Sequence, residues 1–319
     1  LELSVFERGR TEHAEAPLLF LCEPEKSLVK RRLGRLDGTS KSLLLLGTNR
    51  RGAMMRAPIP WGTLPSRYDA LLAANMDSHY PESRLILLTR CRGWVRFQGY
   101  SQEMDEHCVD AFVFDGHSRG CWGFRVPTGQ GEHVYLRVCL EMVPEKNQVR
   151  MVFYREPAQG FEGRLSDSKP VEIILRPDVE WRSFHESTKA YQGAETLFPD
   201  AVTPTPDKAG FLFSPHGPKQ YLSVRISRGT FQLEPEWQYM VRHFLDGERG
   251  FDADSDLFSP GYFSVFLEGG KAFDLVAGAS ESGGEEHRSE EDPVDGDSLN
   301  PLFHQEETIS LGRALHDAI

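Results

Sequence analysis

The sequence predicts an all-β protein, built as a large antiparallel two-sheet β-sandwich with one or two short helices. Short apolar runs punctuated by turn residues dominate residues 1–280, a pattern typical of strands joined by tight turns. The 29 Gly and 20 Pro among 319 residues supply frequent turns. About 14 strands in one unit favour two packed sheets over a small closed barrel.

The strands are predicted from apolar residues that repeat with period two. Residues 133–143 and 148–155 show this alternation on either side of 144–147, which predicts a hairpin. Residues 83–98 are also predicted to form a hairpin, with its turn at Cys91-Arg92-Gly93. The other predicted strands are 110–114, 121–126, 171–181, 220–228, 262–267 and 273–278.

Helical periodicity is confined to short segments. After Glu234-Pro235, apolar residues recur at i, i+3, i+4, i+7 and i+8 until Gly247, which predicts a short helix. They are Trp237, Met240, Val241, Phe244 and Leu245. Residues 305–319 predict the start of an amphipathic helix, from Leu311, Leu315 and Ile319. Residues 66–76 suit a helix or a strand equally well by propensity.

Composition divides the chain into an extension with strands at 1–38, a sandwich at 39–280, a flexible linker at 281–304 and the helical start at 305–319. Residues 281–297 hold eight acids and one Arg, and they contain no aromatic side chain. Such a segment buries too little apolar surface to order itself. Of the net charge of −12, it carries −7, because the rest of the chain has 35 basic and 40 acidic residues.

Charge and hydropathy narrow the classes of partner. A net charge of −12 argues against nucleic acid or an anionic membrane. No apolar run reaches the roughly 18 residues of a membrane span, and no signal-peptide pattern opens the chain. The five widely spaced Cys residues predict free, buried thiols in a reducing, cytoplasmic location. No zinc or phosphate-loop signature is present, so no cofactor or metal is predicted.

Two motifs bear on catalysis or metal binding. Residues 116–120 read Gly-His-Ser-Arg-Gly, which matches the nucleophile elbow of serine hydrolases, but a strand instead of a helix is predicted to follow. A hairpin turn is therefore the favoured interpretation. Asp252, Asp254 and Asp256 alternate like an EF-hand loop, although apolar residues stand where that loop needs Gly and Glu. A polar loop, with Asp256 capping or pairing with Arg249, is favoured over a calcium site.

Two further patterns concern sugars. Asp178 and Glu180 share one face of a predicted strand, so they cannot flank a glycosidic bond from opposite sides, as a glycosidase pair must. Aromatic side chains are spread through the strands, and some of them could line a groove for a glycan. They are Trp61, Tyr68, Trp94, Trp122, Trp181 and Trp237.

Three ordered stretches together resemble one family, the N-terminal domain of glycogen debranching enzymes of the bacterial and archaeal type. The first is LLGTN at 45–49 with SRYDALLAA at 66–74. The second is IILRP at 173–177 with RSFH at 182–185, and the third is ERGFD at 248–252 with DLFSPGYF at 256–263. The order and spacing of these stretches agree with the family over roughly residues 40–280.

The resemblance implies a mutarotase-like supersandwich that precedes a helical barrel. In the family the barrel carries the catalytic carboxylates of an amylo-α-1,6-glucosidase, which hydrolyses the branch points of glycogen. A barrel of twelve helices needs roughly 200 residues, but only 39 residues follow residue 280. We therefore expect this chain to lack the catalytic domain, as a truncated or a stand-alone sandwich, and 305–319 to begin that domain.

The resemblance also implies candidate residues and partners. The candidate substrate-binding residues are Arg67, Tyr68, Arg176, Arg182, His185 and Arg249. For Arg176 and Arg249, a salt bridge with Asp256 or another buried acid is the alternative. No catalytic residue is assigned. The expected partners are an α-glucan (glycogen or maltooligosaccharides) and a helical catalytic domain; a pure scaffold and a stand-alone sugar-binding or mutarotase-like protein stay open.

The sequence departs from the family pattern in two places. The Gly-rich stretch expected after Thr48-Asn49 reads RRGAMMR at 50–56, and Asp69 replaces an expected His. Bulky residues cannot form the tight loop that glycine permits. If this loop contacts substrate in the family, we expect its specificity to differ here.

Overall fold

A computed structural model describes residues 2–7, 10–15, 31–33, 43–77, 80, 83–114 and 119–281. Within these ranges nineteen strands form two large sheets and one separate hairpin. In chain order they are β1 Glu2–Glu7, β2 Arg10–Glu15, β3 Arg31–Leu33, β4 Leu44–Thr48, β5 Met54–Pro58, β6 Ala70–Asn75, β7 Arg84–Phe97, β8 Tyr100–Glu103, β9 Val109–Phe114, β10 Arg119–Pro127, β11 His133–Met142, β12 Gln148–Arg155, β13 Val171–Ser183, β14 Val202–Pro204, β15 Gly210–Phe213, β16 Gln220–Ile226, β17 Thr230–Arg242, β18 Asp254–Leu267 and β19 Ala272–Glu281. The two described α-helices are α1 Gln192–Asp200 and α2 Phe244–Glu248. This architecture confirms the predicted all-β sandwich.

The two large sheets are antiparallel throughout their described pairings. The nine-stranded sheet has the order β14-β15-β16-β19-β12-β11-β10-β9-β3. The eight-stranded sheet has the order β17-β18-β13-β7-β6-β5-β4, with β8 paired to β7, and β1 pairs with β2 alone. Inward-facing side chains of the two sheets form one apolar core, in which each fully buried large side chain contributes about 1.5–3 kcal/mol. The largest of them include Trp122, Phe124, Phe153, Phe211, Phe258 and Phe263.

The predicted hairpin at 133–155 is confirmed, and the ambiguous segment 66–76 contains a strand. β11 and β12 pair antiparallel, with Leu136 opposite Arg155 and Met142 opposite Val149. β6 is buried along its whole length, and a strand buried on both faces shows no alternation that could distinguish it from a helix.

The predicted hairpin at 83–98 is wrong, because β7 continues through Cys91-Arg92-Gly93 without a turn. Gly93 lies opposite Leu175 of β13. A Cβ added to Gly93 would lie 3.3 Å from the Met104 sulfur and 3.4 Å from Leu175 Cδ2. This glycine therefore serves close packing within a central strand, which is one of its ordinary uses there.

The predicted helix that begins after Pro235 is wrong over most of its length, because residues up to Arg242 belong to strand β17. The register of β17 against β18 shifts twice, and Met240 has a φ of +56°. Bulges of this kind interrupt the alternation of a strand, so the apolar residues fell by chance at helical spacing. Only Phe244–Glu248 is helical, and α1 was missed.

The prediction of free thiols is wrong for one pair of cysteines. Cys121 and Cys139 are directly opposite each other in the β10–β11 register and form a disulfide. Cys91 and Cys108 are free and buried, and burial raises the pKa of the Cys108 thiol to about 11. Cys22, the predicted linker and the predicted C-terminal helix lie outside the described residues. Neither of the described helices is long and apolar enough to span a membrane.

Candidate functional site

The loop at 65–69 carries two of the candidate residues and is fixed by two buried carboxylates. Ser66 donates its backbone N–H to Asp69 Oδ2 at 2.7 Å and its hydroxyl to Asp246 Oδ1 at 3.2 Å. The Arg67 N–H donates to Asp246 Oδ2 at 2.6 Å. The chain therefore holds this loop from helix α2, across 179 residues of sequence, and presents the Arg67 and Tyr68 side chains in a fixed position.

Asp69 is fully buried and incompletely neutralised. Its Oδ1 lies 3.3 Å from Arg56 Nη1, but the same oxygen accepts no hydrogen bond from the described residues. Burial raises the pKa of Asp69 to about 6, with Arg56 opposing the shift and Asp246 adding to it. The two carboxylates at 69 and 246 therefore support the loop at an electrostatic cost.

The Arg67 guanidinium lies between two aromatic rings. Its Cζ is 5.2 Å from the centroid of Tyr68 and 5.3 Å from that of Phe251. Its Nη2 donates to the Tyr68 hydroxyl at 3.4 Å, while Nε is buried and has no hydrogen-bond partner among the described residues. The Phe251 side chain is 54% exposed. A cation held by ring faces in this way keeps donors available for a further acceptor.

His185 completes this group at the end of β13. Its Nδ1 lies 3.4 Å from the Tyr68 hydroxyl, and its ring packs edge-on against Tyr68 at 5.8 Å. The Phe184 ring packs against the Tyr68 ring, with their centroids 5.0 Å apart. Arg67, Tyr68, His185 and Phe251 are called the Arg67 cluster below. The cluster offers aromatic faces beside guanidinium, phenol and imidazole groups, a combination suited to a ligand with apolar faces and hydroxyl edges.

Arg182 is brought to the same place, but its side chain is occupied. Its Nε and Nη2 donate to Glu180 at 2.7 and 3.1 Å, and its Nη1 donates to the Glu186 carbonyl at 2.8 Å. Its Nη2 also donates to the Arg67 carbonyl at 2.5 Å. Arg182 is 6% exposed. It therefore positions the backbone of Arg67, and Glu180 neutralises it.

Arg176 lies apart from the cluster, six residues earlier on β13. Its guanidinium pairs with Glu234 at 2.8 Å and with Glu236 at 3.1 Å. Glu236 also pairs with Arg92, which together with Arg90 binds Asp178. These five residues, Arg90, Arg92, Arg176, Asp178 and Glu236, are called the Asp178 network below. Arg176 thus forms the salt bridges of the alternative, but its partners Glu234 and Glu236 are 63% and 42% exposed and are not the buried acid expected.

Arg249 is exposed and follows directly after helix α2. Its N–H donates to the Asp246 carbonyl at 3.1 Å, at the end of α2. Asp256 does not pair with it, because the Asp256 carboxylate accepts the N–H groups of Ala190 at 2.7 Å and Met240 at 2.8 Å.

The alternating acids at 252–256 are engaged by the protein itself. Asp252 pairs with Lys189 at 2.8 Å, and Asp256 caps two backbone N–H groups. Within the part of the chain that the structure describes, no group of three or more His, Cys, Asp and Glu side chains could hold a metal ion. Asp252 lies in a loop, but Asp254 and Asp256 belong to strand β18, so the favoured polar loop is wrong for these two acids.

The serine motif and the tryptophans also have defined surroundings. Residues 115–118 lie outside the described ranges, but β9 and β10 on either side pair antiparallel, so no helix follows the motif. Trp61 and Trp122 are buried in the core, and Trp181 and Trp237 pack against it. Of the aromatic residues considered for a glycan groove, Tyr68 is the one that joins the Arg67 cluster.

The loop that departs from the family pattern forms a separate structural junction. Asn49, which is fully buried, accepts the N–H groups of Arg51 at 2.8 Å and Ala53 at 3.0 Å. Its side chain donates to the Lys146 carbonyl at 2.9 Å and Asn147 Oδ1 at 3.2 Å. Asn49 thus ties the β4–β5 turn to the β11–β12 turn. A polar cavity of about 160 Å³ beside it is lined by Arg51, Asn75, Met76, Glu145 and Asn147.

Sequence reasoning missed three residues that shape the Arg67 cluster. Asp246 fixes the loop, Glu180 neutralises Arg182, and Phe251 supplies the exposed ring. Phe251 stands inside one of the motif stretches, next to the candidate Arg249, so the signal for it was present. The pairing of Asp246 with Ser66 and Arg67 has no local sequence signal.

Comparisons with known proteins place these observations in context. The family model described as "Glycogen debranching enzyme N terminal" matches residues 45–274. No curated protein sequence matches the chain. The first similar solved structure is a bacterial glucoamylase complexed with acarbose, with a TM-score of 0.40 and 8% identity over 81% of this chain and 36% of that chain.

Two lyases are similar at a comparable level. A heparan sulfate lyase mutant from Pedobacter heparinus has a TM-score of 0.34 and 8% identity, over 75% of this chain and 35% of that chain. A polysaccharide lyase has a TM-score of 0.32 and 10% identity, over 76% of this chain and 33% of that chain. The chain thus spans about a third of the length of these structures.

The family match covers well over half of the chain and includes all three motif stretches together with every residue of the Arg67 cluster. The chain therefore belongs to the family of glycogen debranching enzyme N-terminal domains.

Proposed function

We propose that this chain is a non-catalytic, carbohydrate-binding N-terminal domain of a glycogen debranching enzyme, the class that hydrolyses α-1,6 branch points, and that it binds α-glucan at the Arg67 cluster. The observation that carries the proposal is the Arg67 guanidinium, which packs against the rings of Tyr68 and the exposed Phe251 and has no carboxylate partner among the described residues. A guanidinium that no carboxylate neutralises keeps its terminal N–H donors available for a ligand.

The chemistry of the cluster fits a neutral glucan. The exposed Phe251 ring can stack on the apolar face of a glucose unit, and His185, Tyr68 and Arg67 can hydrogen-bond its hydroxyls. The hydrogen bond from Lys189 chiefly lowers the pKa of the neighbouring Asp252, and Arg67 makes the smallest contribution to this shift. Asp252 is itself neutralised by Lys189 at 2.8 Å, so the fit to a glucan rests on the aromatic faces and the hydrogen-bonding groups of the cluster.

Three buried carboxylates near the cluster, those of Asp69, Asp246 and Glu180, are committed to structural contacts, which supports a binding role without catalysis. Asp69 and Asp246 are fully buried and accept backbone N–H groups. Glu180 is paired with Arg182 and accepts the Thr89 hydroxyl at 3.0 Å. None of these carboxylates can approach a glycosidic bond from the side opposite to another, as hydrolysis by a pair of acids requires.

Isothermal titration with maltoheptaose tests the proposal. The wild-type chain should release heat, and Phe251→Ala and Arg67→Ala should each weaken the affinity about two- to tenfold, the loss expected for one aromatic or cation–π contact. Phe266→Ala, which removes a ring of similar exposure on β18, should have no effect. Absence of heat from the wild-type chain at millimolar sugar would overturn the proposal.

A scaffold role is the second candidate, because apolar side chains near the cluster are exposed. Tyr191, Tyr239 and Met240 are 66%, 59% and 73% exposed, and Asp256 joins the segments that carry them. Under this alternative the patch contacts a helical catalytic domain. Met240→Ser would then weaken co-elution with that domain supplied as a separate chain, while the wild-type chain would show no heat with sugar.

A further inference from the structure

A second exposed aromatic ring stands in the loop between β12 and β13, which pairs with β11 of the nine-stranded sheet through His133 and Arg164. Arg164 closes this loop, since its Nη1 donates to the Pro157 carbonyl at 2.9 Å and its Nη2 pairs with Glu156 at 2.9 Å. The Phe161 N–H donates to the Ala158 carbonyl at 3.1 Å. Phe161 itself is 57% exposed. The loop is therefore internally braced, and yet it places a phenyl ring in solvent.

The Phe161 ring has one supported face and one open face. The Arg164 Cζ lies 3.8 Å from its centroid and 5.1 Å from that of Tyr135. Because two guanidinium nitrogens of Arg164 are already bonded within the loop and its side chain is 9% exposed, Arg164 acts as a support. A ring fixed in this way loses little conformational entropy when a ligand stacks on it.

Polar side chains able to bind hydroxyls stand beside Arg164, the residue that supports the Phe161 ring. Tyr135 lies across Gly123, where an added Cβ would be 2.3 Å from the Tyr135 hydroxyl oxygen. That hydroxyl donates to Asp110 at 3.4 Å, a long hydrogen bond. Only a glycine at 123 permits this position of the tyrosine, which sets a phenol beside the Phe161 loop.

His133 contributes a second polar group to the same place. It exchanges backbone hydrogen bonds with the loop, donating its N–H to the Gly163 carbonyl at 2.9 Å and accepting the Leu165 N–H at 2.8 Å. Partial burial, together with Arg125 and Arg164, lowers the pKa of His133 below its ordinary value. A neutral imidazole offers one donor and one acceptor, so it can either donate a hydrogen bond to a sugar hydroxyl or accept one from it.

We propose that Phe161, with Tyr135 and His133, forms a second α-glucan contact site, called the Phe161 platform, beside strand β11 of the nine-stranded sheet. The inference rests on the proposed function for its ligand class, but on different residues for its site. Both sites join one exposed phenylalanine and one tyrosine to a guanidinium. A branched glucan that reaches both sites would gain affinity through effective concentration, beyond what either site gives alone.

The test removes the first site before it probes the second. In the Phe251→Ala, Arg67→Ala background, maltoheptaose titration should show residual binding, and adding Phe161→Ala should reduce its affinity at least threefold. Adding Phe266→Ala instead should leave the residual binding unchanged. Melting temperatures of all variants confirm that they fold, and retardation in glycogen-containing native gels should fall in the order wild type, single-site variants, triple variant.

Each outcome separates the two claims. If the wild-type chain binds sugar but the double variant does not, the Phe161 platform is wrong and the Arg67 cluster stands. If residual binding persists unchanged after Phe161→Ala, the platform is also wrong. If the double variant binds as well as the wild type and Phe161→Ala abolishes that binding, the platform stands and the Arg67 cluster is wrong. If the wild-type chain binds no sugar at all, both proposals fail together.

Discussion

The Asp178 network and the Arg67 cluster both adjoin strand β13 and both depend on arginine, but they differ in how the charge is compensated. Asp178 is fully buried and accepts hydrogen bonds from Arg90 at 2.7 Å and from Arg92 at 2.8 Å. Arg67 has no carboxylate at salt-bridge distance among the described residues and is held by aromatic rings. The charges of the Asp178 network are paired with one another, whereas the Arg67 guanidinium has no carboxylate partner among the described residues and is free to meet a ligand.

This difference shows what a motif arginine can mean. Arg176 and Arg182 belong to the same motif stretch as His185, yet each is buried against a glutamate. Their ion pairs hold strands and a loop in place, so these two arginines have a structural role. Arg67 also stands in a motif stretch, so the sequence does not distinguish it from Arg176 and Arg182. Its contacts in the structure do, because they leave its guanidinium without a carboxylate partner.

The largest effect that separates the two regions is expected from Asp178→Asn. The substitution leaves the guanidiniums of Arg90 and Arg92 in a buried site with a neutral partner, which should lower the free energy of unfolding by about 3–5 kcal/mol. Urea denaturation at pH 7 measures this loss. Glu236→Gln is the matched control, because Glu236 is 42% exposed, and its ion pairs should contribute under about 1 kcal/mol. Equal losses for the two variants would contradict a closed network centred on Asp178.

Much of the fold could be predicted because hydrophobic alternation is local. β11 and β12 show it without interruption, and their hairpin has the predicted pairing. β17 hides it, because two bulges displace its apolar residues from strict alternation. β7 was divided at Gly93, where a small residue serves packing against Met104. In both errors a tertiary requirement altered a local signal.

The candidate site could be predicted only in part, for a related reason. Arg67, Tyr68 and His185 stand in motif stretches, and the structure brings them together. Asp246 carries no local signal, since its partners Ser66 and Arg67 are about 180 positions away in the chain. Contacts at such separation are set by topology, and a single sequence does not reveal which acid reaches which loop.

A smaller, pH-dependent effect is expected at Asp69, the weakly compensated carboxylate beneath the Arg67 cluster. Its pKa of about 6 in the folded protein exceeds the 3.8 of an ordinary Asp, chiefly because of burial. The folded state therefore binds a proton that the unfolded chain has released, so this group lowers stability as pH rises from about 4 to about 6. The full penalty, about 3 kcal/mol, applies above pH 6.

Asp69→Asn removes this titration. The unfolding free energy of the variant minus that of the wild type should increase by up to about 3 kcal/mol between pH 4 and pH 7. Urea denaturation at a series of pH values gives the difference, in which other titrating groups cancel. A difference that stays constant over this range would mean that Arg56 compensates Asp69 as fully as the arginines compensate Asp178.

The smallest effect on stability is expected from Arg67→Ala. The Arg67 side chain contributes cation–π contacts with Tyr68 and Phe251, each worth about 0.5–1 kcal/mol when exposed. Its removal also eliminates the unpartnered Nε, a gain that offsets part of this loss. The net change should therefore be under about 1 kcal/mol, whereas Arg182→Ala, which strands the buried Glu180, should cost several times more. Paired urea denaturation of the two variants measures the contrast, and comparable losses would show that Arg67 has a structural role.

A variant at Arg67 that keeps its stability but loses affinity for maltoheptaose would show that this arginine serves binding, because the fold itself would not require it.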